Sequence, residues 1–129
     1  MSAFRLPVHP EAFSISHGKK RPRVENTSHL KFIRSLPCVC CGTRANVQAA
    51  HIRMASLVHG KRGTGTAQKA DDKWTLPLCA THHEEQHRGS EVAFWAAQGI
   101  DPFRVALSIW GCDADDEAAE VIIKHARAK

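Results

Sequence analysis

One cysteine and three histidines stand within nine residues of the segment TLPLCATHHEEQH (Thr75–His87). Thiolates and imidazoles are the ligands that zinc prefers in proteins. A second pair of thiols comes earlier in the chain, as Cys38-x-x-Cys41, and it has the same spacing as Cys79-x-x-His82. Brought together by a hairpin, the two pairs predict a closed tetrahedral Cys₃His site that holds a structural zinc ion.

Two further cysteines are interpreted as packing residues. Cys40 lies between the paired thiols and is an alternative ligand in principle, but adjacent cysteines cannot easily point both side chains at one ion. We therefore expect Cys40 to be a small buried hydrophobe. Cys112 is isolated in the sequence, and we expect a packed thiol there as well.

His83 and His87 form a second candidate metal site. If His82 binds the zinc, His83 is rotated by about 100° around the helix and cannot join the same ion. His83 and His87 are four positions apart, so their imidazoles lie on one helical face and suit one divalent ion. The alternative is a solvated helix face, which the neighbouring Glu84 and Glu85 favour.

His51 adds a candidate general base to this pair. It follows Gln48-Ala-Ala on a short predicted strand, just after the turn that contains Cys38. The zinc ion would hold this strand against the helix that carries His83 and His87. A neutral imidazole that takes a proton from water, beside a metal that stabilises negative charge on phosphate, suits hydrolysis of a phosphodiester.

The order of these motifs, LPCVCCG, AAHI and LPLCATHHEEQH, resembles that of the HNH (ββα-metal) endonuclease superfamily. Within it, the chain is most similar to phage and prophage nucleases related to the Ref recombination-enhancement protein, from about His29 to Trp110. The resemblance implies a general base at His51 and two helical metal ligands at His83 and His87. It also implies that the structural knuckles are formed by Cys38, Cys41, Cys79 and His82.

The chain departs from the superfamily pattern at two positions. The residue before the base histidine is often a metal ligand, and here it is Ala50. The middle asparagine, which usually orients that histidine, would align near Trp74. The candidates for these roles are Asp71, Asp72 and His59. We take Asp72 as the third ligand of the catalytic ion, which would be Mg²⁺, Mn²⁺ or Zn²⁺.

Length and charge suit a small domain with a polyanionic partner. The chain has 129 residues, a formal charge of +5 and a pI of about 9.2, which fit a ribosomal, membrane-surface or nucleic-acid role equally well. We identify no signal peptide and no run of about 20 apolar residues that would span a bilayer. Five cysteines without a secretory signal favour metal binding over disulfides. We therefore expect a cytoplasmic protein of a bacterial host or phage-infected cell, without a membrane partner.

The first 27 residues are predicted to form a basic arm on a domain of residues 28–129. The arm has three prolines and the run HGKKRPR, so it has too little apolar area to fold alone. It is either a solvated tail or an arm that follows a phosphate backbone. The expected DNA contacts in the arm and central loop are Lys19, Lys20, Arg21, Arg23, Lys61, Arg62, Lys69 and Lys73.

The elements that would position these residues form an α+β domain, with a zinc-stabilised ββα core and flanking helices. Hydrophobic periodicity predicts a helix capped by Ser28, two short strands, and a helix ended by Gly89. Three packing helices follow, and Ser90 and Asp101 are expected to cap the first two. The predicted elements cover about 28–36, 47–52, 74–78, 80–88, 90–99, 101–111 and 113–129, with a functional loop over 54–72.

These inferences favour a metal-dependent DNA endonuclease of low sequence specificity or with a preference for DNA structure. By analogy with the Ref-related nucleases, recombination intermediates and a recombinase filament are the expected substrate and partner. Two alternatives stay open. One is a non-catalytic, zinc-stabilised nucleic-acid-binding module, which Ala50 and the missing asparagine favour. The other is a zinc-scaffolded protein-interaction domain.

Overall fold

A computed structural model describes residues 24–64 and 70–127 of the chain. Within those ranges the chain forms two strands and five helices, so the predicted α+β class is confirmed. In chain order they are α1 (Thr27–Arg34), β1 (Val47–His51), β2 (Thr75–Cys79), α2 (Ala80–His87), α3 (Glu91–Gln98), α4 (Pro102–Trp110) and α5 (Asp116–Arg127). None of these five helices has the length and apolar character needed to cross a bilayer.

The two strands pair antiparallel, with Val47 opposite Cys79 and His51 opposite Thr75. Every residue of β2 is buried, which suits its largely apolar sequence TLPLC, whereas β1 is only partly buried. Pro77 is tolerated in β2 because each strand of a two-stranded sheet has one edge that needs no backbone donor. The register brings His51 to the start of β2 and Cys79 to the start of β1.

The helices cover the sheet and enclose one apolar core. α1 packs against both strands, α4 packs against β2, and α5 packs against α4. Ile33 and Leu36, which are predicted to share one apolar face, are both buried. The largest apolar side chains that are almost completely buried are Trp95, Ile33, Leu36, Ile52, Leu76, Leu78, Ile109 and Ile123.

The helix ends follow local capping chemistry. The side chain of Asn26 accepts a hydrogen bond from a backbone N–H in the first turn of α1, so that helix begins before the predicted cap at Ser28. Ser90 caps α3 and Asp101 caps α4, as predicted. Gly99 ends α3 at φ +69°, in the left-handed conformation that glycine adopts without steric cost.

The end of the predicted arm belongs to the folded domain. Val24 N donates a hydrogen bond to Asp71 Oδ1 at 2.8 Å, and Asp72 N donates one to Val24 O at 3.0 Å. Asn26 N donates to Asp72 Oδ2 at 2.7 Å. These bonds join Val24 and Asn26 to the segment before β2, and the predicted boundary after residue 27 stays a prediction. The rest of the predicted arm lies outside the described residues, with Lys19, Lys20, Arg21 and Arg23.

The central loop contains a tight turn. Ser56 and Lys61 form an antiparallel bridge that closes this turn. Thr64 N then donates to Arg53 O at 3.0 Å, so the loop returns to the end of β1. Residues 65–69 are outside the described ranges, and the expected DNA contact Lys69 is among them.

Candidate metal centre and histidine site

Four candidate zinc ligands form one cluster, with all their ligand atoms within 4.8 Å of one another: Cys38, Cys41, Cys79 and His82. Cys41 Sγ lies 3.9 Å from Cys79 Sγ. His82 Nδ1 lies 3.7 Å from Cys38 Sγ and 3.1 Å from Cys79 Sγ. Thiolates bound tetrahedrally to zinc at about 2.3 Å are about 3.8 Å apart, so the cluster can hold one structural zinc ion. The distance between the sulfurs is too long for a disulfide, which needs about 2.05 Å.

Backbone geometry directs the four ligands to one point. Cys38 N donates to Thr43 O, and Gly42 N donates to Cys38 O, each at 2.8 Å. Gly42 has φ +78°, a conformation that favours glycine. Cys79 ends β2, and His82 lies in the first turn of α2. The second ligand pair is therefore set by the junction between a strand and a helix.

Cys40 supports the ligand Cys38 and does not belong to the cluster itself. Cys40 N donates to Cys38 Sγ at 3.4 Å. A hydrogen bond from the Cys40 side chain is the main reason why the pKa of Cys38 falls to about 3, while burial acts in the opposite direction. The same contact raises the pKa of Cys40. The expectation of a purely hydrophobic Cys40 is therefore corrected, because this half-buried residue stabilises a thiolate.

His83 and His87 contact each other one turn apart on α2. Their Nε2 atoms lie 3.2 Å apart, and Gln48 Oε1 of β1 lies 2.6 Å from His83 Nδ1. Two imidazole nitrogens bound tetrahedrally to one ion at about 2.0 Å are about 3.3 Å apart, so the pair fits a shared divalent ion. In the described ranges no third His, Cys, Asp or Glu completes a group of three ligands with them.

Both helical histidines favour the neutral form that binds metals. Burial is the largest cause that lowers the pKa of His83. Repulsion from His87, His51 and Arg53 lowers it further. Burial and Arg53 also lower the pKa of His87, against an opposing effect of Glu91. Because metal ions compete with protons for imidazole, a lowered pKa favours metal binding near neutral pH.

The predicted base His51 is paired with a buried carboxylate. His51 Nε2 lies 2.9 Å from Asp72 Oδ1, and Asp72 is 1% exposed. A carboxylate in this position fixes the tautomer and the orientation of an imidazole. Asp72 does not complete a group of three ligands with His83 and His87 among the described residues, and its expected role as a metal ligand stays a prediction.

A buried polar network that the sequence analysis missed joins β1 to α2 and α3. Gln86 Nε2 donates to His51 O at 3.0 Å and to Glu91 Oε2 at 2.8 Å. Glu91 also accepts hydrogen bonds from Trp95 Nε1 and Arg53 N, each at 3.0 Å. The signal in the sequence was Glu91 itself, a carboxylate four positions before Trp95 in the otherwise apolar helical segment EVAFWAA.

Asp71 and His59 are the other candidates for a third metal ligand or for a residue that orients His51. Both make structural contacts. Asp71 accepts the hydrogen bond from Val24 N. His59 Nδ1 lies 2.9 Å from Ser56 Oγ, and its ring stacks on Phe103 with the centroids 5.5 Å apart. Within the described part of the chain, neither residue belongs to a group of three metal-ligand atoms.

The side chains expected to contact phosphate from the central loop differ in how far they are exposed to solvent. Lys61 is 5% exposed, and its Nζ donates to Met54 O at 2.7 Å. Burial also lowers the pKa of Lys61. This ammonium group holds the loop together, and the expected phosphate contact of Lys61 stays a prediction. Arg62 is exposed, and Lys73 Nζ lies 5.3 Å from the centre of the Trp74 ring.

Comparison with known proteins adds relatives without an assigned activity. A sequence model of the family described as "Protein of unknown function (DUF968)" matches residues 5–108. The "Uncharacterized protein YdfU" of Escherichia coli (strain K12) is 38% identical over 88 residues. The aligned part is 68% of this chain and 22% of that protein, so the chain spans only a small part of that relative's length. No solved structure gives a significant match.

Proposed function

This chain belongs to the DUF968 family of proteins of unknown function, and we propose that it is a metal-dependent DNA endonuclease with an HNH (ββα-metal) core. The consecutive elements β1, β2 and α2 support such a core. The zinc-ligand cluster supports it too, because it ties the turn before β1 to the start of α2. Hydrolysis of a phosphodiester is the reaction that suits the neighbouring histidines best.

One observation carries the proposal: a positioned imidazole stands beside two neutral imidazoles that suit a metal ion. His51 is held at its ring by Asp72 and at its backbone carbonyl by Gln86. Gln86 lies between His83 and His87 on α2, so His51 lies against the helix that carries both histidines. His83 in turn contacts His87. A structural zinc site does not require this combination of residues, and neither does a helix that only packs against the core.

In the proposed reaction His51 takes a proton from the attacking water. Asp72 Oδ1 lies 2.9 Å from Nε2 of this ring, and the carboxylate stabilises the imidazolium that forms. His83 and His87 would hold a divalent ion, which when bound supplies charge stabilisation at the phosphate and the leaving oxygen. Arg53, whose Nε lies 3.8 Å from Glu91 Oε1 and whose side chain is 31% exposed, would offer its terminal nitrogens to a phosphate oxygen.

A plasmid-nicking assay tests the proposal. Wild-type protein supplied with Mg²⁺, Mn²⁺ or Zn²⁺ is expected to convert supercoiled plasmid into nicked circles. His51→Ala should lower the rate by about 10²–10⁴-fold, because it removes the proton acceptor. His83→Ala should also lower the rate, because it removes one of the two metal ligands. His125→Ala is the matched control, since this histidine is exposed on α5, and it should nick at the wild-type rate.

Two results of this assay would contradict the proposal. If wild-type protein at high concentration leaves plasmid intact with every one of these ions, and also when a recombinase filament is supplied, the chain is not an endonuclease. Nicking that survives unchanged in His51→Ala would contradict the assigned base. The recombinase partner and the preference for DNA structure rest on the resemblance to Ref-related nucleases.

A second function is favoured by the small ligand set of the histidine pair. Two imidazoles without a third ligand in the described ranges would hold a divalent ion weakly. A non-catalytic nucleic-acid-binding module would keep the zinc cluster and bind DNA through its positive charge. Salt-dependent DNA binding by a protein that nicks no plasmid would favour this function over the endonuclease.

A further inference from the structure

The turn Ser56–Lys61 presents two aliphatic side chains to solvent at its tip. Leu57 is 98% exposed and Val58 is 90% exposed. Side chains this exposed contribute almost no burial to the stability of the chain itself. Adjacent exposed apolar groups are typical of surfaces that contact a partner.

The backbone of this turn is held firmly. Ser56 N donates to Lys61 O and Lys61 N donates to Ser56 O, each at 2.9 Å. Gly60 N donates to Leu57 O at 3.2 Å, and Gly60 has φ +65°, which glycine adopts without strain. Leu57 and Val58 are therefore presented by a closed turn, and binding would cost little backbone ordering.

The base of the turn is anchored to the body of the domain. The buried Lys61 Nζ donates to Met54 O at 2.7 Å and to Arg62 O at 3.0 Å. On the other side, the ring of His59 stacks on Phe103 of α4. The tip consequently has a fixed position relative to β1, which ends only a few residues before Met54 at the proposed base His51.

Charge complementarity favours nucleic acid as the partner of this tip. The described residues 52–64 contain no Asp or Glu. Their basic residues are Arg62, the buried Lys61, and Arg53, whose Nε lies 3.8 Å from Glu91 Oε1. Arg62 is exposed and follows the turn directly. A turn with an apolar tip and basic neighbours suits a partner that is negatively charged outside and apolar inside. Duplex DNA has this arrangement, because its stacked bases lie between two phosphate backbones.

We propose that Leu57 and Val58 form a wedge that inserts between stacked base pairs of duplex DNA from the minor groove. Apolar side chains on rigid elements partly unstack base steps and kink the duplex in this way. The inference rests on the proposed function, since the basic segment must first bind the DNA backbone. The wedge would select DNA whose stacking is already weakened, such as a duplex with a mismatch, because unstacking costs less there.

Duplex binding measured on the full chain tests the wedge. All proteins carry His51→Ala, and no divalent ion is added, so the DNA stays intact. The probes are a matched duplex and the same duplex with one central mismatch, each with 2-aminopurine beside the central pair. The wedge variant is Leu57→Ser/Val58→Ser. The control is Val92→Ser/Val121→Ser, which changes two exposed valines on α3 and α5 that are 63% and 57% exposed.

The parent protein is expected to bind the mismatched duplex about tenfold more tightly than the matched one and to raise 2-aminopurine fluorescence. The wedge variant should lose both the preference and the fluorescence change, while it keeps salt-dependent binding to both duplexes. The control variant should behave like the parent. Circular dichroism of the wedge variant should match the parent, because the changed side chains are exposed.

Three results overturn the wedge, and they can be told apart. If the parent binds neither duplex, the wedge fails, and plasmid nicking by wild-type protein decides the endonuclease proposal separately. If the wedge variant binds both duplexes like the parent, the wedge fails while the endonuclease proposal stands. If the wedge variant instead converts a dimer into a monomer by light scattering, with DNA binding unchanged, the tip is a contact between copies of this chain.

Discussion

His82 and His83 are neighbours in the chain, but their ring nitrogens contact different groups. His82 Nδ1 lies against the thiol of Cys79, whereas His83 Nδ1 lies against Gln48 and its Nε2 lies against His87. A rotation of about 100° per helical residue separates the two directions, and spacing alone predicts this division. At the scale of single residues, α2 therefore divides structural and candidate catalytic roles between adjacent histidines.

The zinc-ligand cluster leads to a prediction for Cys38 and for nearby Cys40. Wild-type protein should contain about one zinc ion per chain, and Cys38→Ser should lose it and unfold at lower urea concentration, because metal binding and folding are coupled. Cys40→Ala should keep about one zinc ion, with an affinity lowered by about tenfold, because only a supporting hydrogen bond is lost. Metal analysis and a chelator competition measure both effects.

Cys112→Ser is the matched control for these variants, since this thiol lies just after α4, donates to Ser108 O and lies outside the cluster. It should retain zinc at the wild-type level. A Cys38→Ser protein that is well folded and free of zinc would overturn the structural role of the cluster. Loss of all zinc from Cys40→Ala would show that Cys40 is a ligand.

At the scale of elements, the contact between β1 and α2 depends on one buried amide. Gln86 is fully buried on α2, and its side chain reaches the backbone of His51 and the carboxylate of Glu91. Helical periodicity marks which positions face the core, but it cannot show that a buried polar residue bonds two other elements. This amide thereby fixes the position of the proposed base relative to the helical histidines.

Replacement of this amide by an apolar side chain should destabilise the domain. Gln86→Met keeps approximate volume but leaves His51 O and one bond of Glu91 unsatisfied, so the free energy of unfolding should fall by about 1–3 kcal/mol. Gln98→Met, at the end of α3, is the control and should change it by less than about 0.5 kcal/mol. Urea unfolding measures both values, and equal stability of the two variants would contradict the bridging role.

At the scale of the whole molecule, long-range contacts tie distant segments to the zinc-ligand cluster. The cluster joins the turn before β1 to the start of α2, and Arg127 near the chain end donates to Cys38 O at 3.4 Å. The hydrogen bond from Asp72 N to Val24 O joins the segment before α1 to the segment before β2. The folded state is therefore expected to respond as one unit to metal loss and to acid.

The lowered pKa values of three histidines predict that acid destabilises the fold. Burial lowers the pKa of His29, His83 and His87 below the ordinary value of 6.5. Protonation then favours the unfolded state, so their stabilising contribution is present above pH 6.5 and is lost as the pH falls through the lowered values. The urea midpoint should therefore be lower at about pH 5.5 than at about pH 7.5.

A comparison of two histidine variants isolates this effect. His29→Gln should show a smaller difference in urea midpoint between these two pH values than wild type, because one buried titrating group is gone. Asp72 opposes the lowered pKa of His29, so the reduction should be partial. His125→Gln, at an exposed position, should keep the wild-type difference. An unchanged difference in His29→Gln would show that His29 does not contribute.

The sequence by itself determined the features that depend on spacing within one element or one turn. The ligand pairs Cys38/Cys41 and Cys79/His82 were predictable because two thiols or a thiol and an imidazole three positions apart can face one ion. The pair His83/His87 and the cap Asp101 were predictable for similar local reasons. The α+β class followed from the order of strand-like and helical segments.

Only the tertiary structure decided which distant groups meet. Asp72 positions His51 across 21 residues of sequence, and Lys61 is buried by contacts that its basic neighbours do not share. Leu57, by contrast, is almost fully exposed, although an aliphatic residue is usually expected in the core. Burial and pairing of this kind depend on the packing of segments remote in sequence, about which residue spacing carries no information.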